Sequence, residues 1–339
     1  MYKVLRWKYS RQALAIFVIY LAIAPILGMG GIKSTGLQQT FAVAFLYGAL
    51  ALTYDLLFGF TGLLSFGHAL FFASGMYFTA IFMATNQLHF FAAAPLAVAC
   101  TLVLAVLVGA ASLRTKGITF AMVTLAFGEA GHVVVSRNFG NLTNGENGLS
   151  INAEKVPDFF LGVVNTKNLY WLALAILAVV YLIVWWITES SAGRVFSALR
   201  DNELRVNVLG LNPGKFKLFS FVIAGTLASL IGTAMLIVAG TASPRFASAD
   251  ITISLLLMVI IGGAVSRWGA VLGGVIYIVA STKLTEVSSS SAFDSLPHWI
   301  KGPIGEPALI LGTIFILIVM YSPGGLSGAY YRIRARLIS

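Results

Sequence analysis

Charge is scarce in this chain. Of its 339 residues, 10% are Asp, Glu, Lys or Arg and 58% are hydrophobic, whereas an ordinary soluble domain carries about 25% charged residues. With a mean hydropathy of +0.90 and many apolar runs near ~20 residues long, this excludes a soluble globular protein and indicates a polytopic membrane protein. No polar stretch is long enough to hold a separate soluble domain. Cysteine is nearly absent as well. Cys100, the single one, lies in an apolar run, which excludes a disulfide framework and a thiolate metal site and leaves packing as its role. Phosphate-binding and metal-binding signatures are missing. The stretch from Gly210 to Phe216 fails both the spacing and the final hydroxyl of a nucleotide-binding loop. No His-Glu-x-x-His run or Cys/His ligand spacing occurs. The chain is therefore read as neither an enzyme nor a metalloprotein. The net charge of +10 records membrane topology rather than nucleic-acid binding.

What is present is an all-α pattern of about ten transmembrane helices. The spans fall near 13–30, 37–58, 62–85, 89–112, 118–136, 169–187, 218–240, 251–265, 269–282 and 306–321. The eighth and ninth are short for a hydrocarbon layer of ~30 Å, as expected of broken or re-entrant helices. Placing both termini in the cytoplasm puts Lys3, Arg6, Lys8, Arg11, Arg114, Lys116, Arg194, Arg200, Arg205, Lys215, Lys217, Arg267, Arg332, Arg334 and Arg336 inside. Lys33, Arg137, Lys155, Lys167, Arg245, Lys283 and Lys301 fall outside. The bias toward the inside obeys the positive-inside rule. The N-terminal apolar run continues through Pro25 without a small-residue cleavage pattern and reads as a retained first span. Residues 1–339 then form one membrane domain, with outside loops at about 137–168 and 283–305.

Residues 191–210 stand out. Arg194, Arg200, Asp201, Glu203 and Arg205 crowd a helix-forming segment between two apolar runs. At 100° per residue, a single helix over 195–209 groups Val195, Ala198, Leu199, Val206 and Leu209 on one face. Leu204 and Val208 lie nearly opposite in a charged frame. Two apolar sides suit a helix fixed to the membrane body on one side and inserted into a partner's groove on the other. Gly193 is expected to precede the helix, with Gly210 and Pro213 ending it. Asp201 and Arg205 are spaced as an i,i+4 ion pair. The alternative is an ordinary solvated loop helix.

Two glycine-rich regions carry polar residues near span ends. One holds Gly59, Gly62, Ser65, Gly67 and His68, and the other holds Gly262, Gly263 and Gly269. Such glycines permit tight helix packing, or a broken helix whose freed backbone lines a path. Asp55 and Glu129 are acids inside drawn spans. Asp55 is expected to reach the cytoplasmic interface. Glu129, with His132 three residues on, reads either as a neutral pair or as a proton relay.

Several segments together resemble one family. They are Leu56–Phe71, Leu113–Phe127, Leu142–Leu149, Gly193–Leu204, Ile261–Ala264 and Ser322–Leu326. The chain resembles, from about residue 40 to residue 328, the permease subunits of branched-chain amino acid ABC transporters, the LivM type. The resemblance implies an ABC importer permease bundle in a bacterial cytoplasmic membrane. It implies two ATP-binding subunits below, a homologous second permease beside it and an extracytoplasmic substrate-binding protein above. ATP and Mg would sit on the partner ATPases, with no cofactor on this chain and no nucleic acid involved. It makes the helix at 191–210 the coupling helix, with Gly193, Arg194, Leu199, Arg200, Asp201, Asn202, Glu203, Leu204 and Val208 as the ATPase-coupling set. Gly59, Gly62, Ser65, Gly67, His68, Glu129, Gly262 and Gly263 become candidates for the translocation path. Arg137, Lys167 and Arg245 become candidates for docking acidic residues of the binding protein. The sequence departs from the family pattern in having Val265-Ser-Arg-Trp before Gly269, where a glycine-richer turn is expected. Urea, amide or small-carboxylate permeases, and a proton-coupled secondary transporter, remain alternatives at this level.

Overall fold

A computed structural model describes residues 35–160, 162, 165–288, 307–321 and 324–338. The expected first span at 13–30, and with it the count of ten and the side of the N-terminus, lies outside the described residues, as do Lys301 and residues 289–305 of the expected outside loop.

The described chain is helical because its apolar runs must satisfy their own backbone hydrogen bonds in lipid. Helix α1, Thr35–Asp55, runs directly into a π-helical turn, Leu56–Thr61. Gly62, in the left-handed conformation at φ 77, closes that turn by donating its N–H to the Leu57 carbonyl. Residues 62–67 are not helical. Helix α2 then spans His68–Thr85, α3 Phe90–Ser112 and α4 Ile118–Ser136. The third span thus begins at His68 rather than residue 62, because Gly62 ends the preceding helix.

A polar loop follows α4. Asn138, Asn141 and Asn144 adopt left-handed φ values of 53, 56 and 60, which asparagine tolerates. Asn138 Oδ1 accepts from the N–H groups of Thr143 (3.0 Å) and Asn144 (2.9 Å), organising the turn. Strand β1, Leu149–Ser150, pairs antiparallel with β2, Thr241–Ala242.

Helix α5 covers Thr166–Glu189. Two short helices follow, α6 at Ser191–Asp201 and α7 at Glu203–Val208. Helix α8 spans Pro213–Ala239, with Asn212 Oδ1 capping the Lys215 N–H at 3.3 Å and Pro213 in its first turn. A 3₁₀ turn at Pro244–Ala247 leads to α9, Ala249–Gly262, then α10, Arg267–Ser288. Helices α11, Pro307–Tyr321, and α12, Gly325–Ile338, close the described chain. Helix α10 reaches Ser288, so residues 283–288 are helix rather than the start of a loop.

Among the described residues, seven helices are long and apolar enough to cross a membrane: α1 with its π-helical turn, α2, α3, α4, α5, α8 and α10. Helix α9, at 14 residues, reaches about 21 Å at 1.5 Å per residue and falls short of a full crossing.

Helices α1 and α8 are central. In their most apolar windows 83% and 78% of residues are buried, against 28% for α3 and 22% for α4. Helices hydrophobic all round belong inside, and the outer pair instead leaves a broad apolar surface for lipid or another subunit. Close packing comes from small and hydroxyl residues, as in the Ser229 Oγ to Thr101 Oγ1 hydrogen bond of 3.0 Å between α8 and α3. Cys100 is exposed on the outer face of α3, on the helical stripe of Leu96, Val103 and Leu107. It therefore faces outward and does not pack in the core.

Candidate functional site

The charged segment is two helices, not one. Ser190 caps α6, its Oγ accepting from the Gly193 N–H at 3.5 Å. Gly193 therefore lies inside the first turn rather than before it, and a Cβ there would overlap the Thr188 carbonyl. Asn202 interrupts the helix at φ −163, ψ 106, and its Oδ1 accepts from the Arg205 N–H at 3.1 Å. A short amide side chain competes for backbone N–H groups in this way. The break separates Asp201 from Arg205, and the Asp201 carboxylate lies 3.7 Å from Arg200 instead.

The break also resets which residues face inward. Phe196, Leu199 and Val206 are buried against the bundle, with Phe196 packed on Phe219 of α8. Val195 is half-buried and Ala198 is exposed. Leu204, Val208 and Leu209 are 75%, 88% and 76% exposed. Leu209 thus belongs with the outward pair, not with the buried face. Arg194 is exposed and donates to Ser191 Oγ at 2.9 Å.

Helix α7 is held by charge. Glu203 lies 2.8 Å from Lys217 of α8 and 3.7 Å from Lys116 in the α3–α4 turn. The hydrogen bond from Lys217 holds the Glu203 carboxyl below the usual carboxylate range, with the Lys217 and Lys116 charges adding to it against partial burial. Between α6–α7, the α3–α4 turn and the start of α8 lies a polar cleft of about 510 Å³. Gly62, Lys116, Phe120, Arg200, Glu203, Leu204 and Lys217 are among its walls.

Helix α6 also reaches the π-helical turn. Arg200 Nη1 donates to the Gly59 carbonyl at 2.8 Å. The guanidinium-bearing chain leaves Gly62 no room for a Cβ, the Arg200 Cγ lying 2.9 Å from that position. Asp55 is fully buried and does not reach an interface. Its Oδ1 accepts from the Val265 N–H at 2.9 Å, because a buried turn N–H needs an acceptor. Val265 sits at φ 67, a genuine outlier for a β-branched residue. Two residues on, Arg267 donates to Thr188 Oγ1 (3.0 Å) and Glu189 Oε1 (2.8 Å), where α5 enters α6.

The interruption at 62–67 is satisfied from other helices. Phe66 N–H donates to Thr124 Oγ1 of α4 and Ala69 N–H to Thr252 Oγ1 of α9, both at 3.1 Å. Gly67 lies so close to α4 that a Cβ would overlap the Thr124 carbonyl. His68 Nε2 lies 3.0 Å from Thr53 Oγ1, whose own proton points to the Leu50 carbonyl. His68 Nδ1 and Ser65 Oγ are buried without a hydrogen-bond partner. Gly262 packs against Gly269 across the α9–α10 turn, and Gly263 at φ 99 faces Gly324 and Ser327. With Gly59 and Gly62 of the π-helical turn, these seven candidates therefore lie at helix breaks and turns. Glu129 stands apart on α4, half-buried. His132 donates from Nδ1 to the Pro244 carbonyl at 3.1 Å, so the histidine is engaged with the 3₁₀ turn rather than with Glu129. Arg137, Lys167 and Arg245 are exposed, near the ends of α4, α5 and the 3₁₀ turn.

The model of the family described as "Branched-chain amino acid transport system / permease component" matches residues 36–322. The chain belongs to that family. The permease is 26% identical to the high-affinity branched-chain amino acid transport system permease protein LivM of Salmonella typhimurium, over 86% of this chain and 70% of the relative. To the Escherichia coli protein of the same name it is 25% identical over the same shares. A probable LivM of Methanocaldococcus jannaschii is 26% identical over 63% of this chain and 61% of its own length. Among solved structures, PsaBC from Streptococcus pneumoniae in complex with Fab aligns over 91% of this chain and 98% of its own, with 14% identity and a TM-score of 0.43. By its family and its apolar helices, the permease is a multi-pass integral membrane protein of the ABC transporter class, a class whose permeases are not themselves enzymes.

Sequence reading missed the supports of this site. Lys116, Lys217, Glu189 and Arg267 carry the ion pairs, yet as a sequence they register only as ordinary charges near span ends. Their pairing is set by how separate helices meet. Val265 did carry a signal, since it opens the Val265-Ser-Arg-Trp run that stands where a glycine-richer turn is expected.

Proposed function

We propose that this permease forms half of the translocation path of an ATP-driven importer for branched-chain or other hydrophobic amino acids, with α6–α7 as the docking site of a partner ATPase. The observation that carries the reading is the pair of opposed surfaces on this segment. Phe196, Leu199 and Val206 fix it to the bundle, while Leu204, Val208 and Leu209 are left outward beside a charged cleft. Exposed aliphatic side chains in a polar frame suit insertion into another protein's groove. ATP and Mg then belong to two ATPase subunits. A homologous second permease supplies the other half of the path, against the outward apolar faces of α3 and α4. The cytoplasm lies on the α6–α7 side, consistent with its basic residues. On the opposite side, Arg137, Lys167 and Arg245 meet the acidic surface of a substrate-binding protein.

The test is purification of the permease from its native membrane, identification of its subunits, and reconstitution with them in proteoliposomes. ATP-dependent uptake of leucine, isoleucine or valine is expected when the binding protein is present. Uptake of urea or small carboxylates instead would move the substrate class, and uptake by this chain alone under a proton gradient would overturn the importer reading.

A further inference from the structure

Two routes tie the α9–α10 turn to the proposed docking segment α6–α7. Arg267, at the end of the turn, holds Thr188 and Glu189 where the chain enters α6. Val265, in the middle of the turn, is held by Asp55, and Asp55 is the last residue of α1, immediately before the π-helical turn that Arg200 of α6 holds through the Gly59 carbonyl. Gly59 lies against the Asp55 carboxylate so closely that no Cβ could fit between them, and its Cβ position is 2.8 Å from the Val265 nitrogen. Arg200, Gly59, Asp55 and Val265 therefore form one continuous contact chain.

Val265 is the unusual link. A β-branched side chain at φ 67 is strained, and such strain persists only where surroundings over-determine it. The hydrogen bond from its N–H to Asp55 is one such restraint. Lose it, and the residue has a more favourable conformation at negative φ available, which would re-aim Gly263 and the end of α9. A strained residue held by one buried acceptor is a bistable element of the kind that conformational switching needs. A π-helical turn, with its wider ring, is also a common place for a helix to adjust register.

We infer that Asp55 is the positioning residue that joins movement of the ATPase-docking helix to the α9–α10 turn, acting as a latch on the strained Val265. The inference rests on the importer reading above. A displacement of α6 pulls Arg200, Arg200 pulls the Gly59 carbonyl, and the π-helical turn carries the Asp55 carboxylate toward or away from the Val265 N–H. The turn then moves with α6 instead of independently of it.

The experiment compares Asp55→Ala, Asp55→Asn and the double variant Asp55→Ala/Val265→Gly in the complete complex in proteoliposomes. Two quantities are read: substrate imported per ATP hydrolysed, and thermal stability of the complex. Asp55→Asn keeps a carbonyl acceptor for Val265 and is expected to stay within about threefold of wild-type coupling. Asp55→Ala loses the acceptor and is expected to import about tenfold less per ATP. Glycine at 265 accepts the left-handed conformation without strain, so the double variant is expected to recover stability but not coupling. Wild-type coupling in Asp55→Ala, or coupling restored by Val265→Gly, overturns the latch, because Asp55 would then merely stabilise the turn. The wild-type complex reads the importer function separately. ATP-driven uptake there, with unaltered coupling in Asp55→Ala, overturns the latch alone; absence of ATP-driven uptake in the wild type overturns both.

Discussion

Arg200 and Gly59 are 141 residues apart in sequence, yet the arginine's Nη1 lies 2.8 Å from the glycine's carbonyl oxygen. That bond fastens the charged segment to the π-helical turn at the end of α1, the most buried helix of the bundle. It also separates two roles within one cluster of charges. Arg200 faces the membrane body, whereas Leu204 and Val208 face away from it.

Arg200→Ala should leave insertion and assembly intact while lowering substrate-stimulated ATP hydrolysis about tenfold, since a hydrogen bond from a charged group contributes ~1.5–3 kcal/mol. Arg200→Lys should rescue in part, because a single ammonium can reach a carbonyl but lacks the planar fork. Hydrolysis in the purified complex, with and without binding protein and substrate, checks this. Equal stimulation in wild type and Arg200→Ala would remove the arginine from coupling.

Leu204→Asp and Val208→Asp address docking. Both residues are largely exposed, so their replacement should change the stability of the isolated permease by no more than about 0.5 kcal/mol. In an interface centre the same charges would be buried without partners, and ATPase recovery on affinity purification of the permease should fall by more than tenfold. Phe196→Asp provides the contrast. Phe196 is fully buried, so that change should reduce the amount of folded permease itself. Full ATPase recovery with both outward variants would place the docking surface elsewhere.

These contrasts show what could be read from the sequence and what could not. Seven of the expected spans were legible because hydrophobic runs of membrane length leave few alternatives, and the outward position of Leu204 and Val208 followed from helical periodicity. The interruption at Asn202 was not, since an asparagine in a helical run caps a new helix only when the surrounding chain turns there. Leu209 was misplaced for that reason. Asp55 was expected near water because it lies close to a span end. Its burial depends on the α9–α10 turn folding over it, a contact across 210 residues that no local pattern records.

Glu203 should make the α7 attachment sensitive to acid. Its carboxyl titrates below the ordinary value, chiefly through the Lys217 hydrogen bond. A depressed carboxylate contributes stability that is fully present above the unfolded value of about 4.3 and is lost as pH falls through the folded value. Attachment should therefore be constant from pH 7 to about pH 5 and weaken below about 4. With the Glu203 side chain 32% exposed, the effect should be no more than ~1 kcal/mol. Glu203→Gln should weaken α7 at neutral pH and abolish this acid dependence. Proteolysis of the 191–210 segment across the pH range measures it, and an unchanged acid response in Glu203→Gln would assign it to other groups.

Gly67→Ala should be among the costlier single-methyl additions in the bundle. The new Cβ would strike the Thr124 backbone carbonyl, which cannot swing aside as a side chain can. Helix α4 would have to withdraw, straining the Thr124 hydroxyl that receives the Phe66 N–H. Overpacking of this kind costs about 1–3 kcal/mol. Gly36→Ala is the matched control, because open space surrounds that position near the start of α1 and alanine favours a helix by up to about 1 kcal/mol. Thermal unfolding in detergent should fall for the first and hold or rise for the second. Equal melting of the two variants would mean that α4 is free to move away from the 62–67 break, and the break would then not be a fixed junction.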